Sequence, residues 1–355
     1  MVEPVTSDSI DFIALANAGL RMPVGTDLVL HESTDSASIR QDGTRLGKVV
    51  AESARRYRTP LAFPLMDLTV EKGALFAPLG YDHEASGMAH LPSDFSEGDA
   101  NRVIASLDEP TAEMTAIAEA IRYVAEQTSL VPVGMSIGPF SLMSKLLSDP
   151  ITPVYLSGLG ILAADDPEVA MVECALGLAD EVIMRSLRRQ AEAGARAVFV
   201  CEPAANVAYL SPKQLEAGSD IFERYVMAPN RRVKAELDRL GVALIFHDCG
   251  ELTDDMVREF GTLQPAILSL GSSRELWHDA GLIPKDVVLY GNLASKRFYS
   301  DDLTTVDSVQ ADARALLGKM KATGHPFILG SECDVLSVNG CEATIRAKVQ
   351  GFLTA

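Results

Sequence analysis

Val242-Ala243-Leu244-Ile245-Phe246-His247-Asp248-Cys249-Gly250 is the stretch whose reading decides the fold. It starts as a short apolar run and ends in side chains that carry chemistry. The run lacks clean polar alternation, as a strand covered on both faces should. Phe327-Ile328-Leu329 followed by Gly330-Ser331-Glu332-Cys333-Asp334 repeats the arrangement near the other end of the chain.

Further short apolar runs occupy 61–65, 131–135, 197–200, 266–269 and 287–290. Amphipathic stretches separate them. The clearest spans 167–194, with Val169, Val172, Leu176, Val182, Ile183 and Leu187 at helical spacing and Gly194 as its stop. A second covers 219–240, kinked or broken at Pro229, and a third 306–323. Repeated strand–helix units imply parallel strands. Seven strands and one more not recognised would close an α/β (β/α)8 TIM barrel. The rival, an open dinucleotide-binding sheet, lacks its GxGxxG after the first strand. Residues 1–355 are therefore expected to form one barrel domain, with 1–60 as an N-terminal helical cap on one end.

A barrel gathers its active-site residues at the C-terminal ends of its strands. His247, Cys249, Cys333, Glu202, Asp67 and Asn292 all fall just after predicted strands. Side chains alternate along a strand, so His247 and Cys249 point the same way and one ion can touch both. Cys333 joins them only through the fold. Structural zinc takes four Cys or His ligands, often as CxxC pairs, and this chain has no CxxC. Three protein ligands with an open position are the catalytic pattern. Imidazole with thiolates selects zinc over magnesium or calcium. The competing reading is a core histidine beside buried cysteines. One distance separates the two: sharing an ion at bonds of about 2.3 Å requires the Cys333 sulfur within roughly 6 Å of the other ligand atoms.

The supporting residues each carry two readings. Asp67 and Glu71 orient substrate, or are carboxylates at a helix N-terminus. Glu202 is a fourth ligand or proton relay, or a strand-end salt bridge. Tyr209 hydrogen-bonds substrate, or is structural. Asn292 lines the pocket, or belongs to a Gly291-Asn292 turn. Cys201 adjoins the mouth, Cys174 lies on a helix's apolar stripe, and Cys341 begins the last helix. The other histidines (His31, His83, His90, His278 and His325) have no partnered spacing.

Composition narrows the function. The chain is 47% apolar and 23% charged, as soluble globular proteins are. A net charge of −18 argues against nucleic acid and anionic membranes as partners. No apolar run reaches membrane-spanning length, and Met1 to Thr6 do not read as the start of a signal peptide. Five cysteines in 355 residues make no disulfide framework, so a reducing cytoplasm is expected.

At this point the chain resembles the uroporphyrinogen decarboxylase superfamily, and within it the cobalamin-dependent methyltransferases, of which the methylcobalamin:coenzyme M enzymes are the nearest picture. Arg21-Met22-Pro23-Val24-Gly25 is similar to that family's R-x-P-V-G segment, and the stretch from Phe63 to Glu71 to its P-F-x-L-T-V-E-A strand end. Gly138-Pro139-Phe140-Ser141-Leu142 resembles G-P-F-T-L, and Glu202-Pro203 with Leu210-Ser211-Pro212 resembles D-P … L-S-P. His247-x-Cys249-Gly250 matches H-x-C-G, and Gly291-Asn292-Leu293 matches G-N-V/L. Cys333 stands where the third zinc ligand would be, although in a Glu332-Cys333-Asp334 context that makes the site look more anionic than the family's.

The resemblance implies Zn2+ and methylcobalamin as cofactors, the corrinoid being carried by a small partner protein. It implies methyl transfer between that corrinoid and a small-molecule acceptor, a thiol deprotonated on zinc. The reverse direction, from a small methyl donor to cobalt, stays open. A homodimer is compatible with the barrel. The alternatives are decarboxylation of a uroporphyrinogen-like tetrapyrrole, for which Arg21 and Asp67 would be used, and a non-enzymatic zinc or corrinoid carrier.

Overall fold

A computed structural model describes residues 10–355; the segment from Met1 to Thr6, read for a signal peptide, lies outside them. Eight strands are present among the described residues: β1 (Arg21–Val24), β2 (Leu61–Ala62), β3 (Val131–Ile137), β4 (Ala197–Cys201), β5 (Ala243–Asp248), β6 (Ile267–Leu270), β7 (Val288–Leu293) and β8 (Phe327–Asp334). Every ladder is parallel, and the order is β1-β8-β7-β6-β5-β4-β3-β2. With helices between the strands, this is the expected (β/α)8 TIM-barrel fold.

Alternation along each strand builds two cores. Phe63, Met135, Phe199, Ile245, Tyr290 and Ile328 fill the lumen. Val198, Val200, Leu244, Phe246, Leu268 and Leu289 face the helices. The lumen is thus a packed plug below the C-terminal mouth, as barrels of this kind require.

β1 is the strand that the sequence left unassigned, and it lies inside the stretch read as a helical cap. That stretch also holds helices Phe12–Asn17, Thr26–Leu30, Ser36–Arg40 and Gly43–Arg56. Two features hide β1 from periodicity: it is four residues long and contains Pro23. The register shifts between Met22 and Val24, where Pro23 sits, and β1 pairs with β8 alone. A proline that donates no ladder bond is tolerated at such a bulge on an edge. No ladder joins β1 to β2 among the described residues. Side chains cross that seam instead: Thr26 Oγ1 donates to Phe63 O at 2.6 Å, and Thr59 Oγ1 lies 3.3 Å from Met22 Sδ.

The long helix runs Pro167–Glu192, capped by Asp166, with Gly194 at φ 103° turning the chain back toward β4. The 306–323 helix is found as Val306–Thr323, opened by a Thr305–Ser308 capping box. In the 219–240 stretch the break precedes Pro229. A π-helical turn, Glu223–Met227, leads into Ala228–Leu240. Proline cannot donate to the preceding turn, so that turn widens. Asn230 Nδ2 donates to Val226 O at 2.9 Å and occupies a carbonyl there.

Candidate metal centre

β5, β7 and β8 run further than their apolar cores suggested. His247, Asn292 and Cys333 therefore lie within strands rather than after them, and Cys249 is the first of the four to leave the sheet. One nitrogen of His247 and the sulfurs of Cys249 and Cys333 lie within 4.8 Å of one another. That is inside the limit of roughly 6 Å for a shared ion.

The histidine is set up to be a ligand. His247 is 1% exposed, and its Nδ1 is 2.8 Å from Ser269 Oγ. The β5–β6 register places His247 directly beside Ser269, so the ladder itself builds this bond. With Nδ1–H donating to the hydroxyl, Nε2 keeps its lone pair. Nε2 is buried and has no hydrogen-bond partner. A buried polar atom without a partner costs about 1–3 kcal/mol, which a metal bond would remove. The Phe199 ring, centroid 5.1 Å from that of His247, closes the lumen beneath.

The sulfurs are half-buried. A hydrogen bond from Cys333, and then the neighbouring His247, hold the Cys249 thiol well below its ordinary value. Cys333, beside that thiolate and desolvated, is pushed up. One proton shared between two sulfurs is what a pair of metal-binding cysteines would hold without an ion. Burial lowers the pKa of Lys296, at the rim after β7, but the two sulfurs and Glu332 outweigh it and leave the value raised. The residues thus fit zinc: two sulfurs, one imidazole with a free lone pair, and a cation at the edge.

The surroundings are less anionic than the sequence suggested. Asp334 is buried, and burial followed by Asp27 pushes it up to about 8, so it is largely neutral near pH 7. Asp248 is raised by burial, while its Oδ1 accepts from Gly250 N at 2.7 Å. Glu332 accepts from Ser272 N at 3.1 Å and Lys296 N at 3.4 Å, tying β8 to the loops after β6 and β7. Gly271 packs its backbone on Cys249, where an added Cβ would meet Cys249 O at 2.7 Å.

The other predicted site residues separate. Asn292 Nδ2 donates at 2.8 Å to both Gly271 O and Arg274 O, and so braces the loop beside Cys249. Asp67 accepts from Thr69 N at 3.0 Å and faces Arg40 at 3.6 Å; its neighbour Met66 has Sδ 3.8 Å from Cys333 Sγ. Glu202 is wholly buried and accepts from Phe140 N at 3.0 Å, Ser141 N at 2.8 Å and Asn230 Nδ2 at 2.9 Å. Its two oxygens are taken up at the N-terminus of helix Pro139–Leu146, not turned to His247, Cys249 and Cys333. Gly138 leaves the room, since a Cβ there would lie 2.2 Å from Glu202 Cγ. Tyr209 packs edge-on against Phe140, centroids 6.2 Å apart, over the helix-facing core. Cys201 is buried in the lumen, 3.6 Å from Met135 Sδ. Arg21 begins β1, at the end of the barrel away from the site, and donates to Leu353 O and Ala355 O. Sequence reasoning missed Ser269, Lys296 and Met66.

Glu71 leaves the site altogether. It accepts from Ser136 Oγ at 3.1 Å and Ser186 Oγ at 2.9 Å, between β3 and helix Pro167–Glu192. Burial raises it from 4.5 to about 7. Below about pH 4.5 both folded and unfolded chains hold this proton. Between 4.5 and 7 the unfolded chain ionises first, so stability falls as pH rises and the loss is complete above about 7. The shift corresponds to roughly 3 kcal/mol. Glu71→Gln should therefore gain on the wild type in urea midpoint from pH 5 to 8, then level off. A gap that ignores pH would contradict this.

A second cluster, Asp254, His278 and Asp279, is closed by its own partners. Arg274 pairs with Asp254 at 2.7 Å and with Asp279, and His278 Nε2 is 2.8 Å from Asp254.

The profile described as uroporphyrinogen decarboxylase (URO-D) matches residues 26–346. The chain belongs to the uroporphyrinogen decarboxylase family. Among solved structures, a methyltransferase from Methanosarcina mazei shares the fold at TM-score 0.69 and 17% identity, covering 96% of this chain and 97% of that one. A 3-keto-D-glucoside 4-epimerase from E. coli is more distant, at TM-score 0.41 and 13% identity over 75% of this chain and 98% of that one. No curated protein matches by sequence. No helix among the described residues is long and apolar enough to cross a membrane.

Within this family member the hydroxyl of Ser269 is the test of the histidine's orientation. Removing a group that orients a metal-bound imidazole typically costs 10–100-fold in metal affinity. Ser269→Ala should weaken zinc binding by about that factor in a competitive chelator titration. Unchanged affinity would mean that the hydroxyl does not set the tautomer.

Proposed function

We propose that the protein is a zinc-dependent methyltransferase that moves a methyl group between a corrinoid, carried on a small partner protein, and a small thiol. The observation that carries this reading is the partnerless Nε2 of His247 converging with the sulfurs of Cys249 and Cys333. The family and the fold shared with a methyltransferase support it. A zinc ion at these three ligands would keep a bound thiol deprotonated at neutral pH and so supply the nucleophile.

The chain's own residues do the rest. Ser269 and Phe199 fix the imidazole plane from the side and from below. Lys296 places positive charge at the sulfurs, which favours an acceptor carrying an acidic group near its thiol. Met66 gives the Cys333 side an apolar wall. Burial keeps Asp334 largely protonated, so it adds little repulsion toward an anionic acceptor. Decarboxylation of a polycarboxylate needs several cations around one substrate, and Arg21 is committed to carbonyls at the far end of the barrel.

The test is loss of the methylcobalamin absorbance by zinc-replete protein against a panel of thiols, acidic and neutral. The proposal expects turnover with at least one thiol and preference for the acidic ones. Stoichiometric zinc with no demethylation by any thiol would favour a carrier. Carbon dioxide release from uroporphyrinogen would favour decarboxylation.

A further inference from the structure

A cavity of about 230 Å3 lies outside the barrel lumen, where β2 and β3 part company. These strands pair at Leu61–Val131 and Ala62–Pro132 and then separate. The opening is roofed by helices Gly43–Arg56, Ala112–Gln127 and Pro167–Glu192. Its walls are aliphatic, including Leu46, Val50, Ile117, Ala120, Ile121 and Val124. Helix packing normally leaves few voids larger than a water molecule. An engineered apolar cavity of about 150 Å3 admits benzene, so this one has room for on the order of nine non-hydrogen atoms.

One polar atom on its wall is unsatisfied. Glu71 lines the cavity and is 1% exposed. Oε1 takes both serine hydroxyls, and Oε2 has no partner. The buried amide and the basic groups on the wall are engaged, His83 Nε2 lying 3.4 Å from Thr69 Oγ1. Gln190 exchanges hydrogen bonds with the Met135 backbone at 2.7 and 2.8 Å. Arg189 donates to Leu107 O and Asp108 O at 2.6 Å. Arg40 lies between Asp27 at 3.2 Å and Asp67 at 3.6 Å. No wall cation is left for Glu71. Burial holds its carboxyl up at about 7 and the two hydroxyl donors on Oε1 offset part of that rise, so at pH 8 it is ionised.

We propose that this cavity is a second binding site, distinct from the metal centre, for a small aliphatic primary amine whose ammonium group meets Glu71 Oε2 and whose chain lies along the aliphatic wall. The site does not depend on the zinc assignment. It joins a hydrogen-bonded charge pair at one end to an apolar channel, which discriminates an amine from an alcohol of the same length.

The experiment is calorimetry on the full chain at pH 8 with hexylamine, and with hexan-1-ol as the neutral probe. Hexylamine should bind once per chain and raise the melting temperature, with hexan-1-ol at least tenfold weaker. Glu71→Gln should weaken hexylamine at least tenfold. Ala120→Leu, which fills the void, should abolish binding of both probes. Two variants are used because either change alone can disturb the core, and each is read only in protein that melts cooperatively. No saturable binding to the wild type would overturn the proposal and leave the cavity to water. So would equal binding of amine and alcohol, or hexylamine affinity unchanged in the folded variants.

Discussion

Cys249→Ser and Cys333→Ser are each expected to lose bound zinc and, with it, methylcobalamin demethylation. The loss in zinc affinity should exceed the 10–100-fold cost of removing a mere orienting group. Cys249 favours its thiolate, stabilised first by a hydrogen bond from Cys333 and then by His247. Cys333 holds the shared proton without metal and releases it when an ion binds. Zinc binding should therefore release protons and weaken as pH falls. Zinc content by mass spectrometry, read beside the corrinoid absorbance, separates the outcomes. A Cys→Ser protein that keeps one zinc and full turnover would remove the ligand from the site.

The second large effect falls on stability rather than chemistry. Glu202→Ala should destabilise the fold by on the order of 3–5 kcal/mol. It leaves Phe140 N, Ser141 N and Asn230 Nδ2 without their acceptor in a fully buried place, at about 1–3 kcal/mol for each such group. Asn230 also holds the carbonyl of Val226 at the π-helical turn, so the disturbance should reach the start of helix Ala228–Leu240. Urea denaturation reports the loss. A variant of wild-type stability that has lost turnover would put Glu202 in the reaction instead.

Glu202 also shows what the sequence can and cannot say. A carboxylate just after a strand reads as an active-site residue in any barrel, and the strand-end position was correct. Its direction was not legible, because that depends on Gly138 making room from another unit. Glu71 was legible in part: it stands in the first turn of helix Val70–Phe76, as the second of its two readings had it, but its partners Ser136 and Ser186 are far along the chain. The pairing of His247 with Cys249 was readable from spacing, although Cys249 lies one residue past the end of β5 rather than on it.

The missed residues differ in how recoverable they were. Ser269 stood at the end of a predicted strand, and aligning that end with β5 would have set it beside His247. Lys296 follows β7 on a short 3-10 turn, and nothing in its local sequence marks it as a neighbour of two cysteines. Met66 looked like one more apolar residue near β2. The barrel itself was visible from alternating runs, yet β1 was not, since four residues with a proline carry no period.

The ligand set around the metal is the central claim. Zinc-edge X-ray absorption on protein purified without chelator reads the ligand atoms directly. It should show one nitrogen and two protein sulfurs, the sulfurs at about 2.3 Å. A protein free of zinc, or a zinc shell without sulfur, would contradict it.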